Sequence, residues 1–299
     1  MGLSTQINFK KERDLGSIIS DTFRFIRENW RSYFSFIGNI LGPMLLIAAA
    51  LMVFLYIAFA KSYKGLLSGV EAGVGFEGGG GGLEALGNIF GYGFLLMLVW
   101  VVIYVLLSMV SLFYIKSYIA HGQADFKEVK TNTYANFWKF LGLTMLMTLM
   151  ILVSYVFFLI PVFYMAVVLS LAMPIMAFES KSVGDTISHC FSLIKSHWWS
   201  TFGVIIVLTM LVSILQMIFA IPQMFYQLIA SGVFLDNGDP SAIVELMDDP
   251  INIVLNVVAY IGQFLFYSVT FIASAFIYFD LNEQKYGTGT SERIDNLGL

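Results

Sequence analysis

The sequence predicts an all-α polytopic membrane protein: a bundle of six transmembrane helices with three amphipathic helices at the cytoplasmic interface. Three observations predict it. Hydrophobic residues make up 58% of the 299 and charged residues only 12%, with a mean hydropathy of +0.80, whereas soluble domains carry roughly 25% charged residues. Long runs are free of charge, the longest covering 140–178. A segment near the amino terminus, Ile19–Phe34, recurs as Ile187–Phe202 with seven of 16 positions identical. In both copies Ile19/Ile187, Phe23/Phe191, Ile26/Ile194 and Trp30/Trp198 fall at i, i+4, i+7 and i+11, which lines them along one face of a helix. Each copy leads directly into an apolar run, the pattern of an interface-lying helix feeding a span.

Taken in order, residues 1–13 form a polar tail and the first amphipathic helix runs from about Asp14 to Arg31, with Asp21, Arg24, Arg27 and Glu28 on its polar face. Tyr33–Ala60 has no charge over 28 residues, where about 20 suffice to cross the hydrocarbon, and is the first span. It holds Gly38 and Gly42 at a spacing that permits close helix approach, then Pro43, which should kink it. Residues 61–88 read as a loop around the unbroken run Gly78–Gly82. Leu83 and Glu84 follow those glycines where a phosphate-cradling loop needs a lysine and a hydroxyl, so a flexible tether is expected rather than a nucleotide site. The second span is about Ile89–Ile115.

A weaker third copy covers residues 116–139, where Trp138-Lys139-Phe140-Leu141-Gly142 aligns with Trp199-Ser200-Thr201-Phe202-Gly203. The 39 uncharged residues that follow would make one straight helix of about 58 Å, nearly twice the hydrocarbon thickness. They must turn, and Pro161 is the central breaker, giving spans three and four as Phe140–Ile160 and Val162–Phe178. Ser182-Val183-Gly184-Asp185 has capping-box spacing for the next amphipathic helix. Span five runs to about Ala220 with Pro222 ending it, and span six is about Ile251–Phe279. Between them the loop 223–249 carries five acidic residues and no basic one. Its Asp236-Asn237-Gly238-Asp239 lacks the ligand spacing of a calcium loop and reads as a solvated turn, with a short helix from Asp239 to near Met247. The whole is one integral domain, 1–299, of three repeat units at about 14–115, 125–178 and 183–279, closed by the polar tail 280–299.

Charge orients the six spans. Of the 16 Lys and Arg residues, 14 fall on the side of the termini and only Lys61 and Lys64 on the other. The positive-inside rule then places both termini and the amphipathic helices in the cytoplasm of an inner-membrane protein. The basic, acidic-rich first 32 residues are unlike a cleaved signal peptide.

Little in the sequence points to chemistry. Spans two to six contain no Asp, Glu, Lys, Arg or His, although ion- and proton-coupled transporters place such groups at membrane depth. Gln216, Asn256 and Gln263, with Gln227, Asn252 and Ser274, are polar side chains at that depth. They either hydrogen-bond between helices or line a path for an uncharged or amphipathic solute. His189 and His197 lie beside Cys190, but with one thiol and no nearby carboxylate they do not make a zinc set. Trp30, Trp138 and Trp198 read as interfacial anchors together with Ile19, Phe23, Ile26, Ile187, Phe191 and Ile194. No catalytic, cofactor or metal site is expected. The expected partners are membrane lipids and a protein partner within the membrane, not nucleic acid.

Leu169–Gly203, with Pro174, Glu179, the small residue Ser182, the helix Ile187–Lys195 and Trp198-Trp199, resembles the membrane domain attached to some glycerophosphodiester phosphodiesterases. That pattern runs proline, glutamate, a small turn, a Ser-x-x-Leu-x-basic helix, an aromatic, then a span. Here Cys190 stands in place of the serine. The resemblance covers about a third of the chain and implies a six-span architecture similar to that of related bacterial inner-membrane proteins. The phosphodiesterase chemistry of that family belongs to a separate soluble domain, for which the short flanks leave no room, so a non-catalytic scaffold or partner subunit is implied.

Overall fold

A computed structural model describes residues 7–71, 81–156, 159–231 and 246–296. They are helical, with no strand among the described residues. In chain order the helices are α1 (Leu15–Glu71), α2 (Gly81–His121), α3 (Phe126–Val156), α4 (Leu159–Leu169), α5 (Ala172–Glu179), α6 (Val183–Ile194), α7 (Trp198–Ala230), α8 (Pro250–Tyr286) and α9 (Thr288–Asn296), with a 3-10 turn at Leu246–Asp248. Six helical stretches are long and apolar enough to cross a membrane: Leu15–Leu67, Leu83–His121, Phe126–Val156, Pro161–Glu179, Trp198–Ala230 and Pro250–Tyr286. The chain is a multi-pass membrane protein.

Several boundaries differ from the sequence reading. The first amphipathic segment is not a separate helix, because α1 runs unbroken from Leu15 through Pro43 to Glu71, about 85 Å at 1.5 Å per residue. No glycine or proline separates Arg31 from Tyr33, so nothing stops the helix where polarity changes. The expected loop at 61–71 is helical too, and Gly81 and Gly82 open α2; the rest of the glycine run, 78–80, lies outside the described residues. α3 likewise joins the third amphipathic segment to its span. The second copy behaves differently: the turn Lys195-Ser196-His197 divides α6 from α7.

The prolines also act differently from expectation. Pro161 does not break a helix but sits in the first turn of α4, where a missing N–H costs nothing. Span four is interrupted at Ser170-Leu171, and Pro174 occupies the first turn of α5 for the same reason. Pro222 does not end α7 but lies inside it, as apolar helices allow when neighbours satisfy the freed carbonyl. The Asp236–Asp239 cluster and most of the short helix expected after it lie outside the described residues. The polar tail is helical over 280–286 and 288–296. Gly287, with φ 59°, ends α8 in the left-handed conformation and donates its N–H to the Glu283 carbonyl at 2.8 Å. Glu283 in turn accepts the backbone N–H groups of Gly289 and Thr290 at 2.6 and 2.9 Å, satisfying the start of α9.

The chain divides into two compact units, residues 1–41, 104–213 and 267–299 in the first and 42–103 and 214–266 in the second. In the first unit α2 from Val105 to Ile115 and α8 from Phe271 to Leu281 are buried on every side, as helices that are apolar all round should be. The Tyr33 hydroxyl meets Ser111 Oγ at 2.6 Å in this interior. In the second unit large apolar side chains cover the outside, Leu46, Ile47, Phe54, Ile218 and Ile229 among them, the surface expected of a lipid-facing bundle.

Candidate functional site

The anchor stripe is the first sequence-predicted site. Ile19, Phe23 and Ile26 are half-buried and Trp30 is 51% exposed. The face of α1 that packs inward runs through Ile18, Thr22 and Phe25, each one residue earlier than its stripe neighbour, and on to Tyr33. Phe25 meets Phe9, Tyr114, Tyr118 and Phe276 edge-on at 5.3–6.4 Å between ring centroids, an arrangement that aromatic quadrupoles favour. On α6 the stripe residues Ile187 and Ile194 are buried and Phe191 half-buried, beside Thr186, Cys190 and Leu193. On α3, Trp138 is 77% exposed while Val129, Thr133 and Phe140 turn inward.

The two anchor tryptophans have different surroundings. Trp198 stacks on Phe202 and Tyr164 at 5.0 and 6.0 Å and meets Trp199 edge-on at 4.7 Å, whereas Trp30 has the Arg31 guanidinium at 5.3 Å from its ring centre. The difference follows from the turn at 195–197, which lets the indole of the second copy fold back among its neighbours.

The segment from Pro174 to Trp199 is held by polar contacts. Ser182 caps α6, accepting the Asp185 N–H at 3.3 Å, as its spacing predicts. Glu179 accepts from Tyr278 Oη at 2.7 Å and pairs with Lys181 at 2.6 Å. His189 Nε2 lies 3.2 Å from Glu179 Oε1 without a hydrogen-bond alignment. Burial holds the His189 imidazole below its ordinary value, with Glu179 opposing. Burial also pushes the Cys190 thiol up to about 12, which makes it an inert packing group. Among the described residues no three His, Cys, Asp or Glu side chains gather as a metal site.

Gln216, Asn256 and Gln263 lie in the second unit and belong to one set of contacts between α7 and α8. Gln216 Nε2 donates to the Gln263 carbonyl at 3.1 Å, Gln223 Nε2 to Asn256 Oδ1 at 2.7 Å and Gln227 Nε2 to Asn252 Oδ1 at 3.0 Å. Asn252 Nδ2 donates onward to the Leu246 carbonyl and Tyr226 Oη to Asp249, at 2.8 and 2.7 Å. The sequence reading missed Gln223, Tyr226 and Asp249. Gln223 could have been found, since 216, 223 and 227 on one helix follow helical spacing, as do 252, 256 and 263 on the other; Tyr226, one aromatic among many, and Asp249, just before α8, carried no such signal. The helices also approach closely, because a Cβ on Gly262 would sit 2.1 Å from the Phe219 ring.

A cavity of about 380 Å³ opens elsewhere in the same unit. Leu46 and Ala49 of α1, Trp100 and Ile103 of α2 and Ile261 and Phe264 of α8 are among its walls, and the Tyr260 hydroxyl and the Trp100 indole N–H are the hydrogen-bonding groups of its lining side chains. Gln216, Asn256 and Gln263 do not line it. Gln216 is on α7, and at 100° per residue Asn256 and Gln263 face roughly 110–130° away around α8 from its cavity-lining face.

Comparisons with protein-family models, with curated proteins and with solved structures find no match for this chain.

Proposed function

We propose that this protein is a non-enzymatic integral component of the cytoplasmic membrane, serving as a scaffold or partner subunit of a membrane complex. The observation that carries this reading is the α7–α8 ladder. Polar side chains at membrane depth are taken up by one another, Gln223 with Asn256 and Gln227 with Asn252, and this is how polar groups hold helices together in lipid. A path for a polar solute would instead turn them toward a lumen. The groups left to offer a partner are those on the polar faces of the three amphipathic segments and the acidic residues of the sequence 236–249.

Three finer readings belong with this proposal. Both termini are cytoplasmic, on the 14-to-2 distribution of basic residues. The chain is built from three repeats of amphipathic segment plus helical pair. Burial supports that reading: at aligned positions Thr22, Val129 and Cys190 are all fully buried, and so, 11 residues on in each copy, are Tyr33, Phe140 and Thr201. The resemblance to the membrane domain of glycerophosphodiester phosphodiesterases agrees with a non-catalytic role.

The apolar cavity favours a second reading, a transporter or lipid-handling protein for an uncharged or amphipathic substrate. Reconstitution separates the two. The scaffold reading expects no ion conductance in planar bilayers, no proton-coupled uptake into liposomes and a partner chain of fixed stoichiometry after purification in gentle detergent. Selective currents abolished by Asn256→Leu or Gln263→Leu would overturn it.

A further inference from the structure

The cavity of the second unit is built for an occupant of definite chemistry. Its walls come from three helices, α1, α2 and α8, each part of a stretch apolar enough to cross a membrane. Water is a poor tenant, since a buried water typically makes about three hydrogen bonds and the lining side chains offer two polar groups, the Tyr260 hydroxyl and the Trp100 indole N–H. A volume of about 380 Å³ falls within the range of small-molecule sites, about 300–1,000 Å³. The mouth is bordered by side chains that also form the apolar exterior: Leu46 is 75% exposed, Ile261 50% and Trp100 40%. What enters therefore comes sideways from the hydrocarbon phase.

From these features we infer that the cavity binds one acyl chain of a membrane phospholipid, held in the crevice between α1, α2 and α8. No charged side chain is among the lining residues, so the headgroup stays outside, in the interfacial layer, and the site selects for chain rather than headgroup. Bulk at Gly42 would compete with the chain, because Gly42 lines the cavity and a Cβ added there meets nothing within 4 Å. The site stands whether the protein moves its lipid or only keeps it.

The test is quenching of Trp100 fluorescence by a phospholipid with brominated acyl chains, titrated into the purified full-length protein in detergent. The Trp100 signal is taken as the difference from Trp100→Phe. The expected result is saturable quenching at one lipid per chain. Gly42→Leu should weaken it by about tenfold or more, the equivalent of losing the burial of about two methylenes, at an unchanged melting temperature. Ala49→Leu, which fills the same cavity, should act alike and serves if Gly42→Leu fails to fold. Gly38→Leu adds the same bulk where a Cβ also meets nothing within 4 Å but outside the cavity lining, and should leave binding unchanged. Quenching that never saturates, or that Gly42→Leu and Ala49→Leu leave intact, would show ordinary surrounding lipid and overturn the proposal. Saturation by a brominated fatty acid but not by the phospholipid would overturn the choice of ligand.

Discussion

Gln223 of α7 donates its side-chain N–H to the Asn256 side-chain oxygen of α8 at 2.7 Å, across 33 residues of sequence. Hydrogen bonds of this kind between membrane helices contribute about 0.6 kcal/mol on average and up to about 1.7. A double-mutant cycle on Gln223→Leu and Asn256→Leu in detergent should return a coupling in that range. Strictly additive losses would mean that the two amides do not meet.

Gly262 is where those helices come closest. Gly262→Ala drives a methyl into the Phe219 ring and should cost about 1–3 kcal/mol, the usual penalty for overpacking. Phe219→Leu in the same chain should recover part of the loss. Thermal melts of the two single variants and the double variant check this, and an unaltered melting temperature for Gly262→Ala would count against the close approach.

His189 makes stability depend on pH. Its imidazole is held below its ordinary value by burial, so as pH falls the unfolded chain takes up a proton that the folded chain resists, and folding weakens. Above the unfolded value near 6.5 both states are neutral and the effect disappears. The melting temperature should therefore drop between pH 7.5 and pH 5.5 by more in the wild type than in His189→Gln. Parallel curves for the two proteins would exclude His189 as a source.

Cys190 should be silent to thiol reagents while the protein is folded. It is fully buried and its thiol is raised to about 12, and attack requires an exposed thiolate. Maleimide at pH 8 should label it only after denaturation. Labelling of the native protein at the rate of a free thiol would show that α6 detaches from its neighbours.

Orientation is tested by two single-cysteine variants made in a Cys190→Ala background. Lys61→Cys should react with an impermeant reagent added to intact cells, and Asp295→Cys should react only after lysis. Both positions are exposed in the structure, so accessibility is set by the membrane. Labelling of both from outside would remove the basis for placing the termini in the cytoplasm.

The sequence made the six apolar stretches legible and left their inward faces obscure. Identity between the copies pointed to Ile19, Phe23, Ile26 and Trp30, yet the buried line is Ile18, Thr22, Phe25 and Tyr33. In water an apolar stripe marks the face that packs, but lipid tails are as apolar as leucine, so in a membrane the outer face carries an equally apolar stripe. What distinguishes the inner face is small or hydrogen-bonding residues such as Thr22, Cys190 and Ser111, a weaker signal than a tryptophan. Boundaries suffered for a related reason. An uncharged run such as 140–178 contains no charged residue to mark its turn, and Pro161 drew the turn to itself although a proline serves as well to start a helix. The ladder was half legible: Asn256, Gln263 and Gln216 stood out against apolar neighbours, while Tyr226 looked like one more aromatic.

The amino-terminal segment has its seat at the opposite end of the chain. Arg13 gives its backbone N–H to Asp280 at 2.7 Å and lies over the Phe276 ring, and Lys10 pairs with Glu292. Its guanidinium is closed in by Asp21 and by carbonyls of residues 8, 9 and 11. A ribosome makes Asp280 267 residues after Arg13, so Arg13 waits for this partner until α8 has been made. A nascent chain stalled anywhere before α8 is complete would lack Asp280 and Phe276, the part of the seat of Arg13 and Phe9 that α8 supplies. Closure of the amino-terminal segment over Phe276 and Asp280 is therefore a late event in assembly, one that waits on the synthesis of α8.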